Sequence, residues 1–218
     1  MSPVQHRFLG MLKNTGEEGL PQEEGESSFF VPTQPGELPG PSVTKEPPPQ
    51  AWAQRAAAIG AGPLAVPLGL MQLRKVWLRD AMMATLGAKT IEHMVPFMQF
   101  HTVPAEQELI LQDELGDFML VVLRGTVSVV RKQETEVLVL AQVAPGDMLG
   151  EMSLLDGGER FSTCITRTEC DIGVLTADGL ARMVLGAPRI AAKLMALLAR
   201  KLSMRLRVVS ARLGGRKA

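Results

Sequence analysis

The chain has 218 residues, 46% of them hydrophobic, with 23 basic side chains against 23 acidic ones. That length fits one or two domains with a real core, and the zero net charge removes the compositional argument for bulk binding to nucleic acid or an anionic membrane. Aromatic residues make up 4% and tyrosine is absent, which disfavours platforms that need several exposed rings for base stacking.

Residues 1–30 hold Arg7 and Lys13, then Glu17, Glu18, Glu23, Glu24 and Glu26, with no apolar run between them. A secretory signal needs such a run, so none is predicted. From Ala56 to Leu73 the chain is uncharged, but Gly60, Gly62, Pro63, Pro67 and Gly69 interrupt it. A membrane span needs about 20 unbroken apolar residues, so a linker is expected there and no membrane contact. Eleven of the fifteen prolines lie in 1–70, and Gly16 to Gln50 mixes Glu, Pro, Gly, Ser and Thr with almost no periodic apolar residues. Such a stretch buries too little surface to offset its ordering entropy, so 1–70 is read as a disordered leader.

Helical spacing begins at Met71, with Leu73, Val76, Trp77, Ala81, Met83 and Ala84, followed by Ile91, Met94 and Val95 before Pro96. This predicts N-terminal helices over 71–99. After Pro104 short apolar runs follow at close spacing: 109–111, 118–123, 127–130, 137–143, 148–149, 164–165 and 172–175. Gly116, Gly125, Pro145-Gly146 and Gly157-Gly158 punctuate them. Many short strands with glycine turns predict an antiparallel barrel or jelly roll over 100–186. Ile190, Leu194, Leu197, Leu198, Leu202, Leu206 and Val209 then make a stripe on one long helix, 187–213, that begins after Pro188. The fold class is mainly β with flanking α-helices.

The chemistry concentrates in Gly150-Glu151-Met152-Ser153 and Glu159-Arg160-Phe161-Ser162-Thr163. A Gly-Glu step into a short helical turn exposes backbone N–H groups that favour an anion. An arginine nine residues after the glutamate can return from the next strand to meet that anion with its planar fork. A carboxylate there would repel a free phosphate, and fits only if it accepts from hydroxyls attached to that phosphate. The segment is shaped for a sugar phosphate.

Here the sequence resembles the cyclic nucleotide-binding domain family, which includes the bacterial catabolite activator (CRP/FNR) regulators and the regulatory subunits of cAMP-dependent kinase. Leu123-Arg124-Gly125-Thr126-Val127-Ser128-Val129 resembles the family's glycine between two barrel strands, and Gly146-Asp147-Met148-Leu149-Gly150-Glu151 resembles its lead into the phosphate cassette. The resemblance covers roughly residues 97–210. It implies a double-stranded β-helix with a long lid helix, and a cyclic nucleotide as ligand, cyclic AMP by default, with no cofactor. By that resemblance Glu151 binds the ribose 2′-hydroxyl and Arg160 the cyclic phosphate. Backbone around Gly150, Met152 and Ser153 completes the cradle, and Leu149 and Val121 pack around sugar and base.

Two departures stand out. Phe161 occupies a place that is usually small, where its ring either crowds the pocket or turns into the core, with Ser162 and Thr163 following as small polar residues. On an ungapped reading the activator's adenine-contacting Thr-Ser pair falls on Arg205-Leu206, which leaves the base preference open. Only a few residues follow Leu213, so no helix-turn-helix module is expected there and direct DNA binding is not expected. Nine basic and no acidic residues in 189–218 are read as cations suited to a helix C-terminus.

His6, His93 and His101 show no metal-ligand spacing, and no nucleophile–base pair stands out, so no enzyme is expected. Cys164 and Cys170 are too few for a secreted disulfide scaffold and read as small buried hydrophobes. The expectation is a cytoplasmic cyclic nucleotide-binding regulator, a homodimer through the 189–209 helix, which signals to a protein effector not identified by the sequence. Two alternatives stand beside it. One is a degenerate β-roll scaffold without nucleotide binding; the other is a CRP/FNR-type regulator without a DNA-reading domain of its own.

Overall fold

The computed structural model describes residues 51–133 and 136–214, with side chains through Val208 and at Ser210 and Ala211. The expectation of disorder over 16–50 lies outside the described residues. Within the remainder of the expected leader the chain is folded. Helix α1 (Trp52–Ala58) is followed by a two-residue strand β1 (Gly62–Pro63) and by helix α2 (Val66–Trp77). The leader as read to residue 70 therefore ends too late. The sequence signal failed because Pro67 sits in the first turn of α2, where the missing N–H costs nothing, and does not break a helix interior.

A 3-10 turn (Met83–Leu86), α3 (Ala88–Met94) and a second 3-10 turn at Val95–Phe97 lead into the strands. These are β2 (Gln99–Val103), β3 (Glu108–Ile110), β4 (Phe118–Arg124), β5 (Val127–Gln133), β6 (Glu136–Val143), β7 (Met148–Leu149), β8 (Thr163–Thr166) and β9 (Cys170–Thr176). Helix α4 (Glu151–Asp156) interrupts them, and α5 (Ala177–Gly186) and α6 (Pro188–Gly214) follow. The strands form two antiparallel sheets, ordered β1-β2-β9-β4-β7 and β3-β8-β5-β6. This is the predicted mainly β roll with flanking helices and a long C-terminal helix.

Strand β4 explains how two cores share one sheet. Its run Phe-Met-Leu-Val-Val-Leu is apolar throughout because both faces are covered. Phe118, Leu120 and Val122 point between the sheets, where they pack with Leu109, Val127, Leu149, Ile172 and Val174. Met119, Val121 and Leu123 point the other way, into a second core with Leu73, Trp77, Met94, Leu194 and Leu198 from the helices. Strand β6 is the edge of its sheet, and Val137, Leu138, Val139 and Leu140 are exposed on it. Gly125 makes the β4–β5 turn at φ +92°, where a Cβ would strike the Glu169 carbonyl and the Cys170 sulfur. No helix among the described residues is long and apolar enough to cross a membrane.

Candidate functional site

A cleft of about 680 Å³ opens between β5–β6, the β7–α4 turn, the chain at 160–162 and the far end of α6. That size lies within the roughly 300–1,000 Å³ typical of small-molecule sites. The turn that forms its floor is pinned by the Gly-Asp step. The Gly146 N–H donates to the Val122 carbonyl at 2.8 Å, the Val122 N–H donates to the Asp147 carbonyl at 3.0 Å, and the Asp147 carboxylate accepts from Ala144 N–H at 3.0 Å. Gly150 then takes a left-handed conformation, φ +75°, and starts α4 without a side-chain cap. The first N–H groups of α4 have no intrahelical acceptor.

Arg160 is 3% exposed and lies at the floor. Its Nη1 donates to the Gly150 carbonyl at 3.0 Å and its Nη2 to the Phe118 carbonyl at 2.7 Å. The guanidinium rests on the Phe118 ring, 4.5 Å from the centroid. It packs so closely over Gly116 that a Cβ there would overlap it. Arg160 forms no ion pair among the described residues; its guanidinium donates to carbonyls, and the Asp117 and Glu114 carboxylates act on it only from beyond ion-pair distance. Burial lowers its pKa, the direction expected of a desolvated cation. It also pushes the neighbouring Cys164 thiol up to about 12, which keeps that thiol protonated and inert.

Glu151 is buried at 5% exposure and is ion-paired with Arg205 of α6, whose Nη2 also approaches the Met148 carbonyl at 3.4 Å. Ser153 is buried, its hydroxyl donating to the Glu159 carbonyl at 3.3 Å. Gly150, Glu151, Met152, Ser153, Arg160, Phe161, Ser162, Leu149 and Arg205 thus all line one cleft. Two expected residues do not. Val121 is 1% exposed in the helix-side core, because strand alternation turns it away. Leu206 is 66% exposed, because on α6 it falls on a different face from Met204, Arg205 and Val208, which do line the cleft.

Of the two placements expected for Phe161, the ring does not turn into the core. Phe161 is 56% exposed at the cleft wall, with the Arg131 guanidinium 4.1 Å from its ring centroid and also donating to its carbonyl. The residues that the sequence did not single out are those of the apolar lining, among them Val129, Leu140, Met204 and Val208. The helical spacing of Met204 and Val208 around Arg205 was the available signal. Among the described residues no cluster of His, Cys, Asp and Glu could hold a metal ion.

Residues 100–186 match the family model of the cyclic nucleotide-binding domain. The match covers the β-roll from β2 through α5. The cyclic AMP receptor protein of Thermus thermophilus is 29% identical over 118 residues, 54% of this chain and 55% of that protein. A CRP-like cAMP-activated global transcriptional regulator of Mycobacterium tuberculosis is 33% identical over 109 residues, 50% of this chain and 46% of that protein. The chain spans about half the length of the curated relatives it matches. Among solved structures, a cyclic nucleotide-binding domain from Methylobacillus flagellatus shares the fold, with a TM-score of 0.60 and 23% identity over 72% of this chain and 89% of that one.

Proposed function

We propose that this protein is a regulator that binds a purine cyclic nucleotide in the cleft and signals through α6. The buried guanidinium of Arg160, without an ion-pair partner among the described residues, carries this reading, because a desolvated cation is stabilised by an incoming anion. The cyclic phosphate settles between Arg160 and the backbone N–H groups of Met152 and Ser153. Glu151 accepts from the ribose 2′-hydroxyl, and Leu149 packs against the sugar. Cyclic AMP is the default ligand, with cyclic GMP the alternative.

To bind the ribose, Glu151 must let go of Arg205, and this couples occupancy to α6. The signal is a shift of α6 that a protein effector reads. Met195 and Leu206 are exposed on the face of α6 away from the cleft, which supports pairing of two chains through 189–209. In this reading 100–186 senses, 187–213 is the lid, and the protein acts in the cytoplasm without chemistry on its ligand.

Calorimetric titration with cyclic AMP and cyclic GMP tests the proposal, beside Arg160→Ala and Glu151→Gln variants. Saturable heat that falls in both folded variants is the expected result. No heat from either nucleotide in the folded wild type overturns it. The present partners of the two groups favour a second reading in that case, a β-roll scaffold in which Arg160 and Arg205 hold the turn without ligand.

A further inference from the structure

Helix α1 lies outside the stretch that matches the cyclic nucleotide-binding domain, yet its side chains touch Phe118 and Glu114, which hold the arginine of the cleft. A seven-residue helix without a side-chain cap does not persist alone in water, so the β-roll holds it. Trp52, Arg55 and Ile59 are all buried. The Trp52 indole meets the Phe118 ring edge-on at 5.2 Å, and its Nε1 donates to His101 Nε2 at 3.0 Å. The same Phe118 ring carries the Arg160 guanidinium, and its carbonyl accepts from Arg160 Nη2. A second route runs through Arg55, which is ion-paired with Glu114. The Glu114 carbonyl accepts the Arg160 backbone N–H at 2.8 Å, and the Arg160 carbonyl accepts from Asp113 N–H at 2.9 Å. Neither Trp52 nor Arg55 lines the cleft.

We propose that Trp52 and Arg55 of α1 are positioning residues for Arg160, so that the segment entering the β-roll sets the affinity of the anion site. This rests on the reading of the cleft as a nucleotide site. The ring stack fixes the height of the guanidinium from below, and the Arg55–Glu114 pair fixes the backbone on which Arg160 is mounted. Anything that lifts α1 lets Arg160 sink or swing, and binding weakens although α1 itself does not line the cleft.

The test uses the full chain as wild type and as Trp52→Ala, Trp52→Phe, Arg55→Gln and Trp77→Phe variants. Trp77 is equally buried but belongs to the helix-side core, so it controls for general loss of packing. Two readouts are taken: calorimetric affinity for cyclic AMP, and the Arg160 Nε–H resonance of ¹⁵N-labelled protein without ligand, assigned with Arg160→Lys. An edge-on aromatic pair supports an expected loss of roughly two- to tenfold in Trp52→Ala, largely restored in Trp52→Phe. The Arg160 resonance moves in Trp52→Ala and Arg55→Gln and stays in place in Trp77→Phe. If Trp52→Ala does not fold, Arg55→Gln decides the matter by the same two readouts. Unchanged affinity with an unmoved resonance overturns the proposal. If the wild type binds no nucleotide, the functional reading fails, and the resonance alone upholds or overturns the positioning role.

Discussion

Arg205 of α6 is ion-paired with Glu151, the first residue of α4, so α6 already occupies the carboxylate proposed to meet a ribose. Arg205 is half exposed while Glu151 is buried, so the pair is solvated from one side only and is a modest barrier to a competing hydroxyl. Removing the competitor frees the carboxylate. Arg205→Ala is therefore expected to tighten cyclic nucleotide binding by roughly two- to fivefold, the equivalent of a partly exposed pair. Calorimetry checks this, and weaker binding in the variant would show that Arg205 contacts the nucleotide instead.

Gly116 is a second control point. Because a Cβ there would overlap the Arg160 guanidinium, Gly116→Ala must displace the arginine or shift the loop that carries it. Binding is expected to fall roughly tenfold or more, and thermal stability with it, since a buried cation loses its arrangement. A variant with wild-type affinity and melting temperature would contradict the placement of Arg160.

The sequence marked Gly116 only as punctuation between apolar runs, and this shows where legibility ended. The roll itself was readable because most strands left a short apolar run, several of them closed by a glycine or proline, as at 118–123 before Gly125. Glu151, Arg160 and the turn at Gly150 were readable because their spacing is local. Strand β2 was not, since Gln99-Phe100-His101-Thr102-Val103 has few apolar residues and owes its place to pairing with β1 and β9. Helix α1 was hidden for the same reason. Trp52, Arg55 and Ile59 acquire meaning only against Phe118, Glu114 and His101, which lie more than 40 residues away and which no local pattern reveals.

Acid pH is expected to loosen α1. Burial lowers the pKa of His101 below its ordinary 6.5, so the folded state favours the neutral ring that accepts from Trp52. A depressed histidine contributes stability that is fully present above about pH 6.5 and is lost as pH falls through the lower folded value. Tryptophan emission followed from pH 8 down to pH 5, beside His101→Gln, is expected to show a transition in the wild type that the variant lacks.

The Asp171 carboxylate ties α2 to both neighbouring strands in the same way. Burial pushes it up, but hydrogen bonds from Arg124, Gln72 and Thr102 outweigh this and hold it below its ordinary value of 3.8. Its contribution is present above that value and lost as pH falls through the folded pKa. Asp171→Asn is expected to lower the melting temperature near neutral pH and to flatten its fall in acid, which calorimetry at stepped pH measures.

Removing the Phe161 ring is expected to matter little for stability. An exposed cation–π pair is worth about 0.5–1 kcal/mol, so Phe161→Ala loses roughly that much in urea titration. A loss of several kcal/mol would mean that the ring is packed in the core.

Hydrogen exchange of the full chain with and without saturating cyclic AMP shows whether the nucleotide occupies this cleft and moves α6. Added protection is expected from Met148 to Ser162, together with changed exchange in α6 around Met204 to Val208. Unchanged exchange in both segments would contradict a nucleotide site in this cleft.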